Sequence, residues 1–362
     1  MHKKFTAAAV LIFWAALTLL AWFSPAKEMS DAERRPLAQF PQISGETVTN
    51  GKFMSDFTDY SLDQFPLRDS FRRVKSLFHY YVLGQKDNNG IYLAGGSAAK
   101  QEYPLNPESV SHALERFVHV YDKYLQNANV YMAIVPDKGY YLAEEAGQLA
   151  MDYQALFDAF RQGMPWASYV DLTGCLRAED YYRTDTHWRQ ENLLEAAQAL
   201  CEAMGAETPK REDYTVTELE RPFYGVYYGQ AALPMEADTV RVLESELLSS
   251  CTVFDYESGK TGSVYDRSKV TGKDLYEVYL SGSRSLLTIE NPNAGTDREL
   301  ILFRDSFGSA IAPLLVQGYA KVTLVDIRYI QPDLLEKFVT FEGKDVLFLY
   351  STLVLNNSAT IK

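Results

Sequence analysis

Asp185, His187 and Ser306 are the residues whose types and settings could do chemistry. Asp185 and His187 stand two apart in YYRTDTHW, residues 181–188, in a chain with only five histidines. In extended backbone that spacing points both side chains the same way. A carboxylate so placed can hydrogen-bond the imidazole, fix its tautomer and stabilise the imidazolium formed when the other ring nitrogen takes a proton. The D-x-H pattern also has a plainer reading, a capping Asp beside a surface His. Ser306 lies in LILFRDSFGSAIAP, an apolar strand followed by a sharp polar turn and a short helix. A strand-to-helix turn exposes a serine hydroxyl, and N–H groups at the helix start, those of Ser306 and Gly308, can face a developing oxyanion. Gly308 also removes a side chain that would block close approach. The alternative is that Asp305 or Ser306 simply caps the helix. Together the three residues point to acyl-transfer chemistry.

The elements that must position them alternate. Between about 106 and 204, NPESVSHALERFVHVYDKYLQ has helical spacing and NVYMAIVP is a strand-length apolar run. DYQALFDAFRQG is again helical, ASYVDLTG strand-like, and ENLLEAAQALCEAMG an amphipathic helix ending at glycine. Such alternation predicts an α/β unit with a mainly parallel sheet. His187 follows a strand-like run and precedes a helix, which places it at the sheet edge where α/β sites are built. His112 and His119 fall on the first helix with no carboxylate or cysteine placed to share a metal, and they are assigned to structure. The interval from about 205 to 297 reads as a β-rich insertion, with alternating patterns in DTVRVLES and LYEVYLSG. Within it, RPFYGVYYGQAALP is rich in aromatics. Tyr227 and Tyr228 would suit a glycan groove, with ordinary packing as the alternative.

Composition excludes several classes. The chain has 362 residues, 47% hydrophobic, enough for at least one full-sized core. A net charge of -13 and no basic stripe argue against a nucleic-acid partner. Cys175, Cys201 and Cys251 are odd in number and far apart, with neither CxxC nor His-linked spacing, so they predict small buried hydrophobes rather than a metal site or disulfide framework. The uncharged apolar run Phe5–Phe23 is long enough to span a bilayer, and no clear cleavage signal follows it. Lys3 and Lys4 favour a cytoplasmic N-terminus, with the remaining chain outside. The expected organisation is a cytoplasmic tip and transmembrane anchor at 1–25, a juxtamembrane segment and helix at 26–90, and a catalytic domain at 91–362. In the second of these, Phe71, Val74, Leu77, Phe78, Tyr81 and Val82 share one helix face.

The ordered set AERRPLAQFPQIS, FPLRDSF, IYLAGG, VPDKGYY, YYRTDTHW, LFRDSFGSA and LVDIRY resembles the DHHW-motif family, and with it the SGNH-type polysaccharide O-acetyltransferases of alginate acetylation. The resemblance covers most of the chain after the anchor. One departure is visible: Thr186 stands where the tetrad has its first His. The resemblance implies an SGNH hydrolase-like three-layer fold, with Ser306 as nucleophile, His187 as general base and then acid, and Asp185 orienting it. Arg328 in DIRY and Lys138 in VPDKGYY match more softly. Either would polarise an acyl oxygen or bind a polyanionic substrate, unless Arg328 is held in an ion pair with Asp326 or Asp305. The implied activity is extracytoplasmic transfer of acetyl groups to a polysaccharide through an acetyl-serine, without cofactor or metal. The implied donor is a membrane-bound O-acyltransferase, beside which the anchor would hold this single-pass chain in the cell membrane. Three rivals need the same sequence features or fewer: a secreted carbohydrate acetyl esterase, a non-catalytic glycan-binding component of an acetylation complex, and an envelope structural protein.

Overall fold

The computed structural model describes residues 2–30 and 32–362. The chain divides into two compact units, one of Met1–Asn89 with Val226–Pro234, the other of Gly90–Gly225 with Met235–Lys362.

The first unit begins with the helix His2–Phe23, in which Lys4–Phe23 is long and apolar enough to cross a membrane. Helices Lys52–Asp63 and Arg68–Leu77 follow, the latter running on into a wider turn at Phe78–Val82. Ion pairs tie them to the preceding segment. Arg35 grips Asp63 with two bonds of 2.8 and 2.6 Å, and Glu33 accepts from Arg68 at 2.5 Å and pairs with Arg72 at 3.2 Å. The short helix Val226–Ala231 packs here because Gly229 has no side chain: a Cβ there would lie 1.5 Å from the Ala32 carbonyl oxygen.

The second unit is built on eight strands: β1 Asn129–Val135, β2 Ser168–Val170, β3 Thr252–Asp255, β4 Lys260–Gly262, β5 Leu286–Glu290, β6 Glu299–Arg304, β7 Lys321–Val325 and β8 Asp345–Ser351. Their spatial order is β4-β3-β5-β7-β6-β8-β1-β2. From β7 to β2 every pairing is parallel, whereas β5, β3 and β4 add antiparallel strands at one edge. The sheet is therefore mixed rather than mainly parallel throughout. The departure comes from the 205–297 interval: three of its short strands extend the main sheet instead of forming a separate excursion, and Thr215–Phe223 pairs with Asp238–Glu244 as a hairpin.

The central strands are apolar on both faces, as a sheet covered on both sides requires. Leu300 and Leu302 of β6 join one core with Leu200 and Ala310, while Ile301 and Phe303 join the other with Phe117 and Phe160. Helices Leu194–Ala203 and Gly308–Leu315 thus contribute to one core, and Pro107–Val120 and Tyr153–Gly163 to the other. The result is three layers, helix on sheet on helix. Cys201 and Cys251 are buried, Cys175 partly so, and all three are free thiols.

Candidate active site

Because β1, β6, β7 and β8 run parallel, their C-terminal ends share one edge of the sheet, where loops are free to carry polar groups. Asp137 and Lys138 follow β1, Asp305 and Ser306 follow β6, Asp326 and Arg328 follow β7, and Ser351 closes β8.

The serine turn is held from below. Asp305 is fully buried: its Oδ1 accepts the Phe307 N–H at 3.0 Å, and its Oδ2 accepts the Ser351 N–H and hydroxyl, each at 2.7 Å. That carboxylate pins the turn to β8. Ser306 is half-buried and reachable. Among the described residues its backbone N–H has no acceptor, whereas the Gly308 N–H donates to the Asp305 carbonyl at 3.1 Å. Gly308 is needed for a different approach from the one expected, since a Cβ there would meet Arg304 Cβ at 2.6 Å. The missing side chain makes room for a buried arginine, not for a substrate.

The 181–188 loop is closed by a bridge between Tyr181 and Trp188 and by the Tyr182 N–H on the His187 carbonyl at 3.0 Å. Trp188 Nε1 donates to the Phe307 carbonyl at 3.1 Å, and Gln190 Nε2 to that of Ala310 at 2.8 Å, so the loop is tied to the helix that begins after the serine. Asp238, which no spacing in the sequence singles out, takes the Arg183 N–H at 2.8 Å and both the N–H and hydroxyl of Thr184, at 2.8 and 2.5 Å. Lys138 is fully buried, and its Nζ donates to the carbonyls of Tyr182 and Arg183 at 2.8 and 3.3 Å. Burial pulls its pKa down to about 7 against the attraction of Asp185, Asp238 and Asp137.

These supports bring three sequence-expected residues together. His187 Nδ1 lies 2.6 Å from Asp185 Oδ1, which also accepts the His187 backbone N–H at 3.1 Å, and Nε2 lies 2.8 Å from Ser306 Oγ. An ionised carboxylate only accepts, so Nδ1 carries the proton and Nε2 is left to accept from the serine hydroxyl. The imidazole is 12% exposed and the Asp185 carboxylate 0%, so the pair is shielded from solvent. Such a line can move a proton off a hydroxyl and hold the cation that results.

Two neighbours were not legible in sequence. Tyr276 stacks on the His187 ring with centroids 3.9 Å apart and planes 11° from parallel. It sits in LYEVYLSG, whose alternation reads as strand, but Leu275–Val278 is a tight helical turn. Gly225 lies against Asp185, where a Cβ would be 2.2 Å from Asp185 Cβ. The remaining expected residues are occupied elsewhere. Arg328 Nε and Nη2 bind the two oxygens of Asp326 at 2.9 and 2.6 Å, the ion-pair alternative. Tyr227 is buried, so its ring packs rather than offering a face to sugar, and Tyr228 accepts from Arg73 at 3.2 Å; both belong to the first unit. His119 pairs with Asp333 at 3.0 Å and His112 bonds Ser358 at 3.1 Å.

No protein-family model matches the sequence, and no curated protein does either. Solved structures do. A DHHW family protein from Eubacterium siraeum superposes with a TM-score of 0.62 at 21% identity, over 76% of this chain and 95% of its own. The chain has the fold of a DHHW family protein. Bacillus cereus PatB1, solved with a sulfonyl adduct, gives 0.57 at 17% identity over 73% of this chain and 94% of its own. The O-acetyltransferase domain of Pseudomonas putida AlgJ gives 0.46 at 15%, over 74% and 92%. At these identities the likeness to the DHHW protein and PatB1 is one of fold, and it covers nearly the whole of each of those chains.

Proposed function

We propose that this chain is a membrane-anchored, extracytoplasmic O-acetyltransferase that moves acetyl groups onto a cell-surface or secreted polysaccharide. The observation that carries the reading is the line from Asp185 through His187 to Ser306, with contacts of 2.6 and 2.8 Å. A half-buried hydroxyl, an imidazole whose far nitrogen is already committed, and a buried carboxylate are the parts that nucleophilic acyl transfer needs.

In this reading Ser306 Oγ attacks the acetyl carbonyl while its proton passes to His187 Nε2. Asp185 steadies the imidazolium, and the Ser306 N–H meets the oxyanion. The leaving group takes the proton from His187, which leaves acetyl-Ser306 and a neutral imidazole. A sugar hydroxyl then gives its proton to the same nitrogen and attacks the acetyl carbon, and as the bond to Ser306 Oγ breaks that oxygen takes the proton back from His187, restoring the hydroxyl and the neutral imidazole. Lys138, Asp238 and Gln190 act on the loop rather than on the acetyl group: they hold 182–190 so that His187 faces the serine. The acetyl donor on the outer side is a membrane-bound acyltransferase, beside which the helix His2–Phe23 retains the chain.

The test uses the full chain in detergent with a chromogenic acetyl ester. Ser306→Ala and His187→Ala should each lose roughly a thousandfold or more in turnover. A sulfonyl fluoride should add its mass to wild type and not to Ser306→Ala. Equal turnover and equal labelling in wild type and both variants would refute the reading. Adding a glycan acceptor separates the acceptors: acetyl transfer to sugar supports the transferase, and release of acetate alone identifies an esterase.

A further inference from the structure

The helix Arg68–Leu77 and the turn Phe78–Val82 are amphipathic in the reverse of the usual sense. Arg68, Arg72 and Ser76 of its polar side face inward. Arg72 donates to the Gly229 and Gln230 carbonyls at 2.9 and 3.3 Å, and the buried Ser76 hydroxyl accepts from Asn88 at 2.6 Å, whose amide also reaches the Ala231 carbonyl at 2.8 Å. Its apolar side faces out. Leu67, Phe71, Val74, Phe78 and Tyr81, spaced four and three residues apart, are 65%, 43%, 65%, 50% and 62% exposed. A helix that has already buried its polar stripe has its core contacts made, so the apolar stripe awaits something outside the chain.

We propose that this face lies on the lipid bilayer, seating the first unit in the membrane interface beside its own anchor. Three observations choose lipid. The same unit carries Lys4–Phe23, a span whose apolar window is only 6% buried, so on the anchored reading proposed above the unit is tethered at a bilayer whichever way the chain is oriented. Exposed apolar side chains are not confined to one seam, as a paired helix would need, but continue on other elements at Phe40, Ile43, Val48, Met54 and Leu62. Aromatic rings with basic residues beside them are the composition of interfacial helices, and Arg73 and Lys75 stand exposed on the same helix. Charge permits the contact. Residues 24–89 hold nine Lys and Arg against nine Asp and Glu, whereas the whole chain is at -13. The neutral unit meets an anionic surface that would repel the rest.

The test places a bimane on single cysteines in the full chain, in a background of Cys175→Ser, Cys201→Ala and Cys251→Ala, reconstituted in vesicles of phosphatidylcholine with phosphatidylglycerol. Phe13→Cys reports the anchor, Val74→Cys and Tyr81→Cys the proposed face, and Ser268→Cys an exposed site in the second unit. Nitroxide-labelled phosphatidylcholine should quench the first three, and aqueous iodide only the fourth. In Val74→Glu/Phe78→Glu the Tyr81→Cys probe should become open to iodide while Phe13→Cys stays in lipid. Iodide quenching of Val74→Cys as strong as that of Ser268→Cys would overturn the docking and leave the anchor standing. A Phe13→Cys probe open to iodide would overturn both. Protection at Val74 without nitroxide quenching, growing with the protein-to-lipid ratio, would give the face to a second copy and also overturn it.

Discussion

Gly225→Ala tests whether the site depends on a residue that touches no substrate. An ideal Cβ at Gly225 would lie 2.2 Å from Asp185 Cβ, 2.4 Å from its Cα and 2.5 Å from Oδ2. Carbon atoms rest about 3.5–4.0 Å apart, so one of the two must yield by roughly 1.5 Å. The two nearest obstructing atoms are Cβ and backbone Cα, which cannot swing away as Oδ2 could. Gly225 is itself fixed, because its N–H donates to Thr184 Oγ1 at 2.8 Å, and that hydroxyl is locked to Asp238. Asp185 therefore moves, and with it the 2.6 Å contact that orients His187. A displacement of about 1 Å in a positioning group costs on the order of a hundredfold, and overpacking of this kind costs about 1–3 kcal/mol in stability. The assay is kcat/KM on a chromogenic acetyl ester, beside a urea melt of the same preparation. The expected result is a loss near a hundredfold per folded molecule with a modest fall in the midpoint. Turnover unchanged per folded molecule would refute the reasoning, whatever happens to the melt.

Three other outcomes follow from the site and its surroundings. Tyr276→Leu removes the ring stacked on His187, a contact worth about 0.5–1.5 kcal/mol beyond burial, and should lower kcat by about two- to tenfold with KM little changed; a shift in KM alone would contradict the placement. Lys138 has its pKa pulled down to about 7 by burial, against about 10.4 in an unfolded chain. Between those values the unfolded chain binds the proton and the folded chain does not, so this residue makes stability rise as pH climbs from about 7 to 10. Urea midpoints across that range should rise less steeply in Lys138→Met than in wild type, and equal slopes would exclude the lowered pKa of Lys138. Burial pushes the Cys201 thiol up to about 12 and the Cys251 thiol up to about 11, so iodoacetamide at pH 8 should leave both unmodified by mass and turnover intact; rapid alkylation of Cys201 in the native protein would contradict its burial.

Some of this was legible in residue patterns and some was not. NVYMAIV and ELILFR announce buried strands because both faces are apolar, and the Asp-Thr-His spacing and the strand-turn-helix at Ser306 point to residues that lie 2.8 Å apart in the fold. The antiparallel edge was not readable. β3 and β4 have four and three residues, too few for alternation to stand out, and their partners lie far along the chain. Gly308 shows the limit of reading a glycine by its motif: only the position of the Arg304 side chain tells what the missing Cβ avoids. Tyr276 and Asp238 reach the site through the fold alone, and nothing near them in sequence marks them. The helix at 68–77 was legible as a helix and its shared face as a face, but which way that face turns depends on Glu33, Asn88 and Gly229, residues up to 157 positions away.

The strand order also fixes when the molecule can become itself. β8 lies between β6 and β1, and its first residue pairs with Asn129, 216 positions earlier. β1 emerges early in synthesis and finds only the three-residue β2 on one side, with its other edge open until β8 is made. Ser351, which anchors the serine turn, belongs to that same late strand. Closure of the sheet and anchoring of the serine turn are thus one event, reached only when Asp345–Ser351 has been made. Pairing across such a separation is slow, and an apolar strand left open meanwhile invites association with other chains. If the helix His2–Phe23 anchors the chain in a membrane, as proposed, a nascent chain held there is kept apart from its neighbours during that wait.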